Sequence, residues 1–349
     1  MRILSLFLII ILLCCGKTNS NYLVNQNTSD KEVVCFIYHR FGDSRYPTTN
    51  TPVKDFETHL TWLRDNGYAV VSFTDALNYL QSNEPTRKTA VITIDDGFKS
   101  FYKNGFPLLK KFKMPAIMFI NTKTVGGGDY MNWDDLRDVM KHNVEIGNHT
   151  HSHDYFLNQP EATRYETFKN EIELSQSIIE KNLGFKPTLF SYPYGEFDMK
   201  MKTIAKEAGF KAAAAQNSGV LYAGSDMFQI PRFPMSESYS GKTKFIEKAM
   251  SKALRIQHIS PESNTMPKDK KPSLTLTFDN TNLNLNRLQC FIQGGTCSFS
   301  FADSEKKIIT LRPNKPLGAK RRTIYTVTVP DKKGVWHWYS YLWIDAKVK

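Results

Sequence analysis

The chain has 349 residues, 46 Lys+Arg against 34 Asp+Glu, 41% apolar and 13% aromatic residues. That apolar content supports real hydrophobic cores and excludes wholesale disorder, and five cysteines are too few for a disulfide-dense miniprotein. The length suggests two domains, and a net charge of +12 keeps nucleic-acid and membrane-surface partners in view until the residues are read.

Residues 1–15 place Arg2 before a largely apolar run of ten residues, 4–13. The run is too short to span a bilayer and has the form of a signal-peptide core. Cys14 or Cys15 directly after it reads as a lipoprotein site as readily as the end of an ordinary secretory signal. Either way the mature protein is expected outside the cytoplasm, with residues 16–31 as a polar leader.

From residue 32 to 260 short apolar runs alternate with helical patterns. Strands are expected over 33–38, 69–73, 90–94, 116–121, 144–147, 188–192 and 212–215, and helices over 54–66, 74–81, 100–111, 133–142, 162–182 and 199–208. Phe56, Leu60 and Leu63 give the i, i+4, i+7 stripe of a packed helix. Such alternation, with nearly continuous apolar strands, implies a parallel sheet covered by helices and closing toward a barrel. Cys35, inside an apolar run, is expected as a small buried hydrophobe.

Residues 261–272 are polar and proline-bounded, a linker by composition. Beyond it, 273–349 shows alternating runs rich in Thr, Tyr, Phe and Trp separated by turns, as in a small β-sandwich. Cys290 and Cys297 flank a Gly-Gly turn and are placed to bond across a hairpin in an oxidising compartment. Along 336–343, alternate aromatic residues are expected in a core and the others in solvent.

Three clusters fall at strand ends, where a parallel barrel carries its chemistry. In Thr93-Ile94-Asp95-Asp96-Gly97 two adjacent carboxylates repel unless a cation lies beside them. A metal on one, with the other left as a base, resolves the conflict, although Asp-Asp-Gly alone is more readily a solvated turn. His149-Thr150-His151-Ser152-His153 holds three of eight histidines, with His149 and His153 at i, i+4 spacing. Two imidazoles and a carboxylate leave metal positions open for water and substrate. Ser191-Tyr192-Pro193-Tyr194-Gly195 is a turn that can wall a pocket and aim a backbone N–H at an oxyanion.

Together these clusters resemble the polysaccharide deacetylases of carbohydrate esterase family 4, with their NodB-type catalytic domain. Thr93-Ile94-Asp95-Asp96-Gly97 is similar to the family's T-F-D-D-G motif, and His149-Thr150-His151-Ser152-His153 to its H-[ST]-x-x-H motif, within a resemblance spanning about 32–234. The resemblance implies a distorted (β/α) barrel, Asp95 as catalytic base, and Asp96, His149 and His153 as ligands of a divalent metal, usually zinc. His151 falls at a variable position and is not counted. Two departures stand out. Ser191 replaces the arginine of F-R-P-P-Y-G, and no late leucine-histidine motif follows Pro234. Both look like the branch acting on partially N-acetylated exopolysaccharides, whose acid comes from an N-terminal Tyr-His, here Tyr38-His39. Trp133-Asp134 and Ile230-Pro231-Arg232 look like that branch's W-D and P-R elements, and Arg232 is expected to pair with Asp95 or Asp134 in place of the missing arginine.

The expected reaction is metal-dependent removal of acetyl groups from N-acetylglucosamine units of peptidoglycan, poly-N-acetylglucosamine or chitin fragments. Asp95 acts as base, His39 as acid, the Tyr194 backbone N–H on the oxyanion, and Arg232 as orienting residue. A catalytically lapsed glycan-binding protein of the same fold is the rival. No nucleic-acid partner is expected, the chain is expected to be monomeric, and envelope association or a lipid anchor is allowed. From Ser260 onward fifteen Lys+Arg against seven Asp+Glu leave +8 of the +12, so the basic charge belongs mostly to the accessory region.

Overall fold

A computed structural model describes residues 30–278, 282–303 and 308–348. The expected signal sequence, with Cys14 and Cys15, and residues 16–29 of the leader lie outside the described residues. No helix among the described residues is long and apolar enough to cross a membrane.

Strands Glu32–Tyr38, Thr89–Asp95, Ala116–Ile120, Val144–Asn148, Leu189–Ser191 and Ala212–Ala214 lie side by side in that order, all parallel. Their alternating side chains feed two apolar layers: Val34, Phe36 and Tyr38 enter one cluster, and Val33 and Cys35 another. Cys35 is buried and free. The sheet curls, and the segment around Arg232 joins its two ends. Ile230 bridges Ala214 at one end, and Phe233–Pro234 pairs with Phe36 and Ile37 at the other. The fold is therefore the distorted barrel expected, followed by an all-β region.

Local chemistry explains where the elements depart from the periodicity. The strand expected over 69–73 shrinks to Ala69–Val70, because the Ser72 side chain accepts from Asp75 N and starts helix Phe73–Gln81. The helix expected over 100–111 opens with a π-helical stretch, Phe101–Gly105, before α-helix Phe106–Phe112. Pro107 has no N–H to continue the ladder at that junction. Helix Lys242–Ala249 was not anticipated.

The C-terminal region packs two four-stranded sheets face to face. One contains Lys252–Ala253, Trp336–Ile344, Arg322–Pro330 and Gln289–Ile292; the other Ile256–Ser260, Leu274–Phe278, Ile308–Pro313 and Cys297–Asp303. Leu274, Leu276, Ile309, Leu311, Tyr325 and Trp343 form their shared core. The Cys290–Cys297 disulfide joins one strand from each sheet, rather than two strands of a single hairpin.

Residues 252–260, read from sequence as the end of the barrel, thus pair with the C-terminal sheets. The stretch expected as a linker is also held: Met266 is buried, its N–H donates to Ile344 O, and Tyr325 Oη donates to Pro272 O.

Strand Trp336–Ile344 corrects the expectation of one solvated face. Tyr339, Tyr341 and Trp343 face the sandwich core. On the other face Leu342 and Ile344 enter a cluster with Phe190, Tyr192 and Phe197 of the barrel, Trp338 packs on Phe233, and Ser340 Oγ donates to Ser218 O.

Candidate active site

The carboxyl ends of neighbouring strands bring the three motifs together. Register places Tyr38 beside Ile94, Asp95 beside Phe119, Ile120 beside Asn148 and Ser191 beside Ala214. The residues that leave these strand ends therefore converge on one rim.

Asp95 is fully buried and gripped on both oxygens by Arg232, Nη1 to Oδ1 at 2.7 Å and Nη2 to Oδ2 at 2.9 Å. The Arg232 guanidinium is itself saturated: Nε donates to Ala215 O, Nη1 to Thr93 Oγ1 and Nη2 to Ser191 Oγ, and Ser191 Oγ also reaches Asp95 Oδ2 at 3.3 Å. A buried bidentate pair with every donor satisfied is the geometry in which burying two charges is tolerated. Burial opposes ionisation of Asp95, but Arg232 and, more weakly, His149 hold its carboxyl well below the usual range. Of the two partners expected for Arg232, only Asp95 is met. Asp134 is exposed and pairs with Arg137 at 2.6 Å. Thr93 Oγ1 and Ala215 O, which complete the guanidinium's partners, carry no sequence signal for that role.

Asp96, His149 and His153 present one ligand atom each, all within 4.8 Å of one another. His149 Nδ1–H donates to Ser191 O at 2.7 Å, which leaves Nε2 as an acceptor. That Nε2 lies 3.1 Å from His153 Nε2 and 3.6 Å from Asp96 Oδ1, and His153 Nε2 is 3.4 Å from the same carboxylate oxygen. Burial lowers His149 to about 3 and His153 to about 4, so both imidazoles are neutral at neutral pH. Burial likewise pushes Asp96 up to about 6. Neutral imidazoles converging on a crowded carboxylate fit a divalent cation, the donor set of an open tetrahedral site. His151 turns away, its Nδ1 bonded to Thr122 Oγ1.

Backbone strain concentrates here. Asp96, Thr150, His153 and Tyr194 all adopt left-handed conformations, with φ of 72°, 66°, 62° and 58°, each costing roughly 1–3 kcal/mol unless neighbours hold it. They are held. Glu171, from helix Glu161–Leu183, accepts from the N–H groups of His151 and Ser152, and Asn148 Oδ1 accepts from Thr150 N. Glu171 is not singled out in the sequence. Gly195 also has positive φ, and a Cβ there would sit 2.6 Å from Gln216 N, so the turn requires glycine.

These residues open on a cavity of about 700 Å³ lined by His39, Asp96, His153, Tyr155 and Tyr194. Tyr194 is ring-stacked on Tyr155, with centroids 3.7 Å apart. One wall comes from the C-terminal region, through Gln293 and the Lys320-Arg321-Arg322 run.

Comparison with known proteins agrees with this geometry. The family model described as polysaccharide deacetylase matches residues 82–213. A poly-beta-1,6-N-acetyl-D-glucosamine N-deacetylase of Staphylococcus aureus is 25% identical over 212 residues, 58% of this chain and 73% of that protein. Among solved structures, IcaB from Ammonifex degensii superposes with TM-score 0.55 at 26% identity, covering 62% of this chain and 97% of that one. The Streptococcus pyogenes deacetylase PplD, in complex with acetate, shares the fold with TM-score 0.57 at 19% identity, covering 63% of this chain and 99% of that one. The fold, and the family match over residues 82–213, are those of polysaccharide deacetylases. Over its barrel region the chain is similar to polysaccharide deacetylases, the poly-beta-1,6-N-acetyl-D-glucosamine N-deacetylases among them.

Proposed function

We propose that this enzyme hydrolyses N-acetyl groups from N-acetylglucosamine units of an extracellular or envelope polysaccharide, peptidoglycan or poly-N-acetylglucosamine, releasing acetate. The observation that carries the reading is the clustering of Asp96, His149 and His153 around one point, with the Arg232-clamped Asp95 next to it. Asp96, His149 and His153 would hold the metal, and two imidazoles with one carboxylate favour zinc. When bound, zinc supplies Lewis acidity, which acidifies water and polarises an acetamide carbonyl.

The chain's own groups do the rest. Asp95, kept ionised by Arg232, accepts the proton of the attacking water. His39, lining the same cavity as Asp96, delivers a proton to the departing sugar amine. The Tyr194 backbone N–H is aimed at the oxyanion that develops on the carbonyl. The apolar run within residues 1–15 supports export, with the enzyme secreted or anchored through Cys14 or Cys15.

The test is acetate release from peptidoglycan, poly-N-acetylglucosamine and chitin oligomers, with EDTA stripping and zinc add-back. Release that EDTA abolishes and zinc restores is expected. D95N should lower kcat by about 10²–10⁴-fold. No release from any polymer in the presence of zinc would overturn the reading in favour of a lapsed glycan-binding protein.

A further inference from the structure

The turn from Pro193 to Phe197 is held from outside the barrel. Arg321 grips the buried carboxylate of Glu196 with two bonds, Nε to Oε1 at 2.8 Å and Nη2 to Oε2 at 2.5 Å. Its Nη1 donates to Asn158 Oδ1 and Val348 O, and its guanidinium lies 4.2 Å over the Tyr155 ring, which in turn stacks on Tyr194. Arg322 Nη1 donates to the carbonyl of Tyr194 itself at 2.8 Å, and Asn264 Nδ2 donates to Phe197 O. Arg321, Arg322 and Asn264 all belong to the region built from the two C-terminal sheets, while Tyr194 keeps a left-handed backbone that a non-glycine residue does not adopt unaided.

We propose that Arg321 and Arg322 are positioning residues for the deacetylation reaction: they lock the Pro193-Tyr194-Gly195-Glu196 turn so that the Tyr194 N–H faces the reacting carbonyl. The C-terminal region is thereby part of the active site and not only a targeting module. The inference rests on the oxyanion role assigned to Tyr194 above. The Glu196 carboxylate, 4% exposed, has its charge neutralised by Arg321, and the peptide plane that carries the Tyr194 carbonyl is oriented by Arg322. Misplacing a donor by about 1 Å costs on the order of 10²-fold in rate, enough to make such contacts kinetically visible.

The experiment uses full-length zinc-loaded protein with R321A, R322A, R321E and the charge swap R321E/E196R. Steady-state acetate release is measured alongside amide hydrogen exchange of the peptide containing residues 192–197. R321A and R322A are expected to lower kcat about 10–100-fold with KM changed less than threefold, and to speed exchange in that peptide while leaving strand Thr89–Asp95 protected. The swap is expected to recover a large part of what R321E loses. Unchanged kcat and unchanged local exchange in both alanine variants would overturn the proposal. A rate loss accompanied by faster exchange throughout the barrel, without recovery in the swap, would also overturn it, as the mark of general destabilisation. If wild type releases no acetate, the functional reading fails by itself, and the exchange arm still decides whether the C-terminal arginines hold the turn.

Discussion

The Asp95–Arg232 pair is the residue-scale centre of the site, and its two members lie 137 positions apart. Removing the cation takes away the main influence that opposes burial, and burial raises the pKa of this carboxyl. R232M is therefore expected to move the acid limb of the kcat/KM profile to higher pH if Asp95 serves as the proposed base, because its carboxyl is then protonated where wild type is ionised. An acid limb that stays in place would show that the guanidinium does not set the state of Asp95. A second buried group lies just behind the first strand. His59 accepts from Tyr38 Oη at Nδ1 and donates to Ser240 O from Nε2. Burial lowers its pKa from the ordinary 6.5 to about 4. Between those values the unfolded chain binds the proton that the folded chain refuses, so stability falls as pH drops from 6.5 to about 4. H59Q should flatten the dependence of unfolding free energy on pH in that window by up to one proton, ~1.4 kcal/mol per pH unit. Denaturant titrations at pH 4.5, 5.5 and 6.5 measure it, and an unchanged slope would exclude a neutral buried His59.

At the scale of elements, the strand that delivers His149 depends on its own glycine. Gly147 lies under the Phe119 ring of the neighbouring strand, and a Cβ there would overlap the ring carbons and sit 3.2 Å from Leu189 O. G147A should therefore destabilise the fold by about 1–3 kcal/mol and loosen the rim that carries His149, lowering zinc affinity along with the thermal midpoint. Wild-type stability and zinc affinity in G147A would show that Phe119 moves aside freely. Most of the strands themselves are legible in sequence, since short apolar runs alternating with helical periodicity report local energetics. What the periodicity missed were places where one atom decides: Ser72 starting a helix early, and Pro107 interrupting one.

At the scale of the whole molecule, strand Trp336–Ile344 is buried on both faces from Ser340 onward, one face in the sandwich and one against the barrel. Two regions sharing such a strand, together with the Arg321–Glu196 clamp, should not melt separately. Calorimetry is expected to give one transition with a van't Hoff enthalpy equal to the calorimetric one. Two resolved transitions would show the regions to be thermally independent. The basic charge of the C-terminal region reads differently in this light. Part of it faces Glu196 and the cleft rather than a distant polyanion.

The sequence by itself determined the βα alternation, the all-β character of residues 273–349 and the motif residues now found at one rim. These are written in local patterns: periodicity set by backbone geometry, and adjacent carboxylates or closely spaced histidines whose chemistry demands a partner. Only the tertiary structure decided that Arg232 meets Asp95 and not Asp134, that the second face of the last strand is dry, and that Arg321 and Arg322 grip the Tyr194 turn. The physical reason is that such contacts join residues more than a hundred positions apart. No local propensity encodes them, and they exist only once the sheet has curled and the sandwich has closed against it.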